Sequence, residues 1–164
     1  MASGGSFYLI PMTIDLLIGG NHFRIDSEME LRLQETLKPF LYAGPEKDPV
    51  RIHVVCGMEN APMPNCPKSG EDLLLEYYME KDRILCLSKG SIGCYLASAV
   101  CSYNYENTVC YLNKEHASSL NSVGSLLRLI PVKAILQKRD TFFFHASQIA
   151  VQGKGILFLG PSGM

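Results

Sequence analysis

Residues 141–164 read TFFFHASQIAVQGKGILFLGPSGM, and the fold turns on how they are read. Phe142, Phe143, Phe144, Ile149 and Val151 favour extended backbone, because aromatic and β-branched side chains pack well on a pleated surface. Gln152-Gly153-Lys154-Gly155 is a turn signal. Ile156, Leu157, Phe158 and Leu159 form a short continuous apolar run, the pattern of a strand covered on both faces. The stretch predicts two strands joined by a tight turn. The second strand runs straight into Gly160-Pro161-Ser162-Gly163-Met164.

A strand that opens onto a glycine-rich turn is how a Walker A loop, G-x-x-x-x-G-K-S/T, begins. Gly160 takes the place of the first glycine, and Pro161, Ser162, Gly163 and Met164 fill the four free positions. In a complete loop, backbone N–H groups at the turn and the helix start point at phosphate oxygens. A lysine then reaches the outer phosphates, and a serine or threonine holds Mg²⁺. The expected Gly, Lys and Ser or Thr do not occur among these 164 residues, so the chain is expected to stop inside its own nucleotide-binding motif. The plainer alternative is a glycine-containing tail behind an ordinary strand.

The residues just upstream add to this. His145-Ala146-Ser147, a turn, an apolar strand and then Gly-Pro-Ser-Gly together resemble the HPr kinase/phosphorylase-like family. The resemblance is closest to the branch found beside ribosomally made peptide clusters, whose members phosphorylate a peptide or small protein on serine. It covers roughly Leu126 to Met164. It implies ATP and Mg²⁺ for the complete protein, and a peptide or small-protein phosphoacceptor. It also implies an accessory catalytic part for His145, which precedes Gly160 by fifteen residues. In the family, the matching histidine lies near a carboxylate that follows the phosphate loop and takes the proton from the acceptor serine. Without the resemblance, His145 reads as a core histidine satisfied by a hydrogen bond. Phosphoryl transfer rests on positioning and charge stabilisation, so no measurable kinase activity is expected from these 164 residues alone.

Earlier in the chain the signals are patterns rather than motifs. Phe7–Ile18 reads as a strand region that Pro11 confines to an edge or divides. Gly19-Gly20-Asn21 is a turn, with His22–Ile25 returning as a hairpin partner. Asp26-Ser27 offers a helix cap. Met29, Leu33, Leu37 and Phe40 or Leu41 then recur at helical spacing, predicting a helix over Glu28–Tyr42 that Ala43-Gly44-Pro45 stops. Val50, Ile52, Val54 and Cys56 alternate with Arg51, His53 and Val55, a strand with one buried face. Three prolines at 62, 64 and 67 mark 60–70 as a linker or long loop. Leu73–Leu112 reads as an antiparallel meander turning at Glu80-Lys81-Asp82 and Asn104-Tyr105-Glu106-Asn107. Ser118 or Ser119 caps a helix carrying Leu120, Val123, Leu126, Leu127 and Ile130, which Pro131 breaks before a second piece over Val132–Arg139.

The expected fold is α/β with α+β character. A small β-β-α-β unit occupies 1–59, the linker or long loop 60–70, and an incomplete P-loop kinase core 71–164. That core comprises the meander, the broken helix and two terminal strands. A net charge of −1 argues against a nucleic-acid footprint. No apolar run approaches the ~20 residues that span a bilayer, and no secretory signal opens the chain, so a cytoplasmic protein is expected. The six cysteines show no C-x-x-C spacing and signal neither zinc nor redox chemistry. Cys86, Cys94 and Cys110 read as small buried side chains, and Cys66 as an exposed thiol without a charge pattern to activate it. His22, His53 and His116 are scattered, with no carboxylate cluster and no metal-ligand spacing. Ser147 lacks a nucleophile-elbow context. Tyr77–Tyr78 and Tyr103 with Tyr105 fit a β-sheet core or a hairpin face better than a stacking platform. A non-catalytic binding or assembly module is the competing function, in which an uncovered apolar terminal strand pairs with another subunit.

Overall fold

The structure, a computed structural model, describes residues 12–45, 47–90, 94–141, 146–151 and 154–159, the last two segments by their backbone. Its centre is a mixed eight-stranded sheet ordered β1-β2-β3-β8-β7-β6-β5-β4. The strands are β1 Met12–Ile18, β2 Asn21–Ser27, β3 Val50–Cys56, β4 Gly70–Glu71, β5 Leu75–Met79, β6 Arg83–Lys89, β7 Tyr95–Ser102 and β8 Asn107–Leu112. β2, β3 and β8 run parallel, and every other neighbouring pair is antiparallel. The α/β class follows from this sheet and its short helices.

The β1–β2 hairpin forms where the glycines allow it. Gly19 and Gly20 both adopt positive φ, 56° and 79°, the two-residue turn whose twist matches the flanking strands. Side-chain alternation then sorts the sheet into two faces. On one face Leu16 pairs across to Phe23, Phe23 to Val50, and Ile25 to Ile52; Val54 meets Cys110, Cys110 meets Ala99, and Ala99 meets Cys86. Phe23, Ile25, Val54 and Cys110 are fully buried there. α2, Val123–Leu129, packs on β6 and β7. It contributes Val123, Leu126 and Leu129 to the core, and α3, Val132–Lys138, adds Ile135 and Leu136.

The antiparallel meander read over Leu73–Leu112 forms as β5 to β8, and β4 adds a short strand at the end of the span read as a linker. Pro131 separates α2 from α3, as a residue without an N–H donor should. The helix begins later than expected, however. The effective cap is Ser122, whose Oγ accepts from the Ser125 N–H at 3.3 Å, while residues 117–120 form only a one-turn α1, Ala117–Leu120.

The helix expected over Glu28–Tyr42 does not form. Ser27 closes β2 instead of capping a helix, and only a 3-10 turn, Glu35–Phe40, appears. Two physical reasons are visible. Pro39 lies inside the span and removes a donor. Residues 31–34 are also committed elsewhere. The Arg32 N–H donates to Asn121 O at 2.6 Å, and the Val123 N–H to Arg32 O at 3.1 Å. The Gln34 amide donates to Ser122 Oγ at 2.9 Å and accepts from the Gly124 N–H at 3.0 Å. Met29 and Leu31 are buried two residues apart, an extended alternation that the helical spacing masked.

The outer strands of the sheet are β1 and β4. Along β1 the Tyr42 N–H donates to Asp15 O at 2.9 Å. Just before β4, Ser69 extends the pairing with β5, donating its N–H to Tyr77 O at 2.8 Å and accepting the Met79 N–H at 3.0 Å. β4 itself is only two residues long, and so short an edge strand offers little for edge-to-edge association.

Candidate functional site

Two terminal strands form, and Lys154 and Gly155, read from the sequence as part of the turn, are paired in the second. β9, Ala146–Val151, and β10, Lys154–Leu159, make an antiparallel pair separate from the main sheet. The register runs from Lys154 opposite Val151 to Leu159 opposite Ala146. Phe142–His145 and Gly160, Pro161, Ser162, Gly163 and Met164 lie outside the described residues. Ala146 follows His145 directly, and its partner Leu159 directly precedes Gly160. Directly opposed residues in such a ladder have Cβ atoms about 4.5–5.5 Å apart. Ala146 and Leu159, thirteen residues apart in sequence, are thus brought to the same end of one hairpin.

The segment that leads into the hairpin is fastened to the body. Asp140 turns the chain after α3 with φ of 55°. The Asn21 side-chain amide donates to Thr141 Oγ1 at 2.9 Å and to Gly19 O at 3.2 Å. The Arg139 guanidinium donates to Asp48 O at 2.9 Å. A side chain at position 19 would collide with Thr141, whose Cγ2 lies 2.8 Å from where a Cβ would stand.

One polar cluster escaped the sequence reading. His22 is not isolated: its Nε2 lies 2.7 Å from Asp15 Oδ1, and Arg24 Nε donates to the same oxygen at 3.1 Å. The hairpin register was the missing signal. Asp15 pairs with Arg24 and Leu17 with His22, so all three polar side chains share one face. The Lys47 N–H approaches His22 Nδ1 at 3.5 Å, which leaves Nε2 to carry the proton that Asp15 accepts. Burial, the largest influence, pushes the Asp15 carboxyl up, but the hydrogen bonds and charges of His22 and Arg24 outweigh it and hold it below its ordinary value. His22 is 3% exposed, with Tyr42 against its ring. His22 is buried, while Asp15 and Arg24 are half-buried; the trio ties β1 to β2 and to Tyr42 and Lys47.

A second cluster surrounds Glu76. The Tyr95 and Tyr78 hydroxyls both donate to Glu76 Oε2, at 2.9 and 3.0 Å, and these bonds hold the Glu76 carboxyl low. The Tyr77 hydroxyl donates to Asp72 Oδ2 at 2.6 Å; burial and then that bond push the phenol up to about 12. These hydroxyls are spent within the fold. Cys86, Cys101 and Cys110 are buried, and burial pushes the Cys86 thiol up to about 12. Cys94 is exposed, not a core residue, because it stands just before β7 begins. Cys66 is half-buried, its Sγ near Met79 O. His53 lies 3.7 Å from Glu28 at the surface. Among the described residues no group of His, Cys, Asp or Glu could hold a metal, and no helix is long and apolar enough to cross a membrane.

A large concavity lies elsewhere among the described residues. A half-open cavity of about 980 Å³ runs between the helix-covered face of the sheet and the α2–α3 elbow. Its walls are apolar, with Ile18, Leu37, Leu74, Leu120, Leu127 and Val132 among them. No family model, curated protein or solved structure matches this chain.

Proposed function

We propose that the chain is the N-terminal portion of an HPr-kinase-like, ATP-dependent serine kinase that acts in the cytoplasm on a peptide or small protein. The observation that carries this reading is the hairpin register. The residue after His145 pairs with the residue before Gly160. A histidine beside the mouth of a phosphate loop requires that closure, and a glycine-containing tail does not.

In this reading β9 and β10 belong to an incomplete P-loop kinase core. Gly160–Met164 supply backbone N–H groups for the phosphates of MgATP. His145 orients the carboxylate that accepts the serine proton. That carboxylate, the phosphate-gripping lysine and the Mg²⁺ ligand belong to sequence that follows Met164. Among the described residues the other polar clusters are engaged within the fold: Asp15 accepts from His22 and Arg24, and Glu76 accepts from Tyr78 and Tyr95.

Reading the coding DNA beyond codon 164 tests this. A continuing frame that opens Gly-Lys-Ser or Gly-Lys-Thr is expected. A stop codon, or a frame without that lysine, overturns the kinase. It leaves a non-catalytic assembly module whose two-stranded end recruits another subunit through its open edges.

A further inference from the structure

We infer that the cavity at the α2–α3 elbow is a docking groove for an acidic, amphipathic peptide segment of a partner protein. This goes beyond the kinase reading and does not depend on it. The floor comes from the ends of central strands, including Ala97 and Leu112, and the wall from the two helices on either side of Pro131. About 980 Å³ stands at the upper end of what drug-sized ligands fill. The cavity is also half open rather than enclosed, which suits a helix laid along it. At one side Leu74 is 58% exposed and Phe40 is 40% exposed, so apolar surface continues out of the cavity toward solvent. A patch of this kind marks an interaction surface more often than chance exposure does.

Charge decides what kind of segment fits. The one carboxylate in the lining, Asp72, is occupied: it accepts from the Leu74 and Leu75 N–H groups, each at 2.8 Å, and from Tyr77. Lys89 is occupied too, donating to Glu71 at 3.1 Å and to Asp72 O at 2.7 Å. Arg128 and Lys133, one on each side of the Pro131 elbow, are exposed, and their side chains have no partner among the described residues. The charge the groove offers a visitor is therefore positive. A segment with large apolar residues at helical spacing and carboxylates along its flanks would satisfy both the walls and the rim.

The probe is a fluorescein-labelled peptide with leucines at i, i+3, i+4 and i+7 and glutamates on the flanks, followed by fluorescence anisotropy without nucleotide. Saturable binding is expected, weaker in high salt. The double variant Arg128→Glu/Lys133→Glu should weaken it about tenfold, as two rim ion pairs would. A peptide with lysines in place of the glutamates should recover affinity for that variant. Leu74→Glu, at an exposed position, should weaken binding independently. Circular dichroism shows whether each variant keeps its sheet. Equal affinity for the charge-reversed protein, or equal binding of a scrambled peptide, overturns the inference. So does saturable laurate binding without any peptide binding, which would make the cavity a lipid pocket.

Discussion

The eight-stranded sheet and the terminal hairpin use the same strand chemistry to opposite ends. In the sheet, every interior strand has two neighbours, helices cover one face, the β1 edge takes a bond from Tyr42, and the β4 edge is only two residues long. β6 is buried through Ile84, Leu85, Cys86 and Leu87 in succession, which means both its faces are covered. The hairpin has one ladder, and among the described residues each of its strands has one neighbour. Two strands alone are marginal in water and need further packing to persist. The sheet's interior strands are held from two sides, whereas each strand of the described hairpin is held from one.

The widest contrast should appear in hydrogen exchange. Amides at Leu85 and Cys86 should exchange only with global opening, on the order of a thousandfold or more slower than those of Ile149 and Ile156. Comparable protection in both would mean that the hairpin is as complete as the sheet. Next in size, Phe23→Ala should cost about 3–5 kcal/mol in urea unfolding, since Phe23 is fully buried between β1 and β3. A loss well under that would mean that the core does not sit where the register puts it.

Asp15→Asn should cost about 1–3 kcal/mol, because it leaves Arg24 and His22 without their anion. The sign of its pH dependence follows from the lowered carboxyl. The contribution is fully present above the ordinary value of about 3.9 and is lost as pH falls through the lower, folded-state value. Acid unfolding of the wild type should therefore carry a component that the variant lacks, and identical acid profiles would count against the trio. Smallest of all, Lys38→Ala removes an exposed pair with Glu35 and should change stability by less than about 0.5 kcal/mol.

The sequence was legible where one local rule acted alone. Gly19-Gly20 specified a hairpin, Val50–Cys56 alternated cleanly, and Pro131 broke a helix. It misled where two periods overlapped. Met29, Leu31 and Leu33 alternate, while Met29, Leu33 and Leu37 recur at helical spacing, and the tertiary demand of the α2 N-terminus on Arg32 and Gln34 settled the contest. The parallel placement of β3 between β2 and β8 is non-local, and no short pattern announces it. The Asp15–His22 pair was readable in principle, since it needs only the hairpin register once the turn is recognised. The elbow groove was not readable, because its walls come from segments far apart in the chain.

Transfer of radiolabelled phosphate from ATP to a serine-containing peptide would separate the accounts most directly. Two samples are compared: these 164 residues, and the product of the reading frame continued past Met164. Incorporation confined to the longer protein, and abolished when its His145 and Gly160 are replaced together, is the predicted result. Turnover by the 164 residues alone, or none by the longer protein, would contradict it.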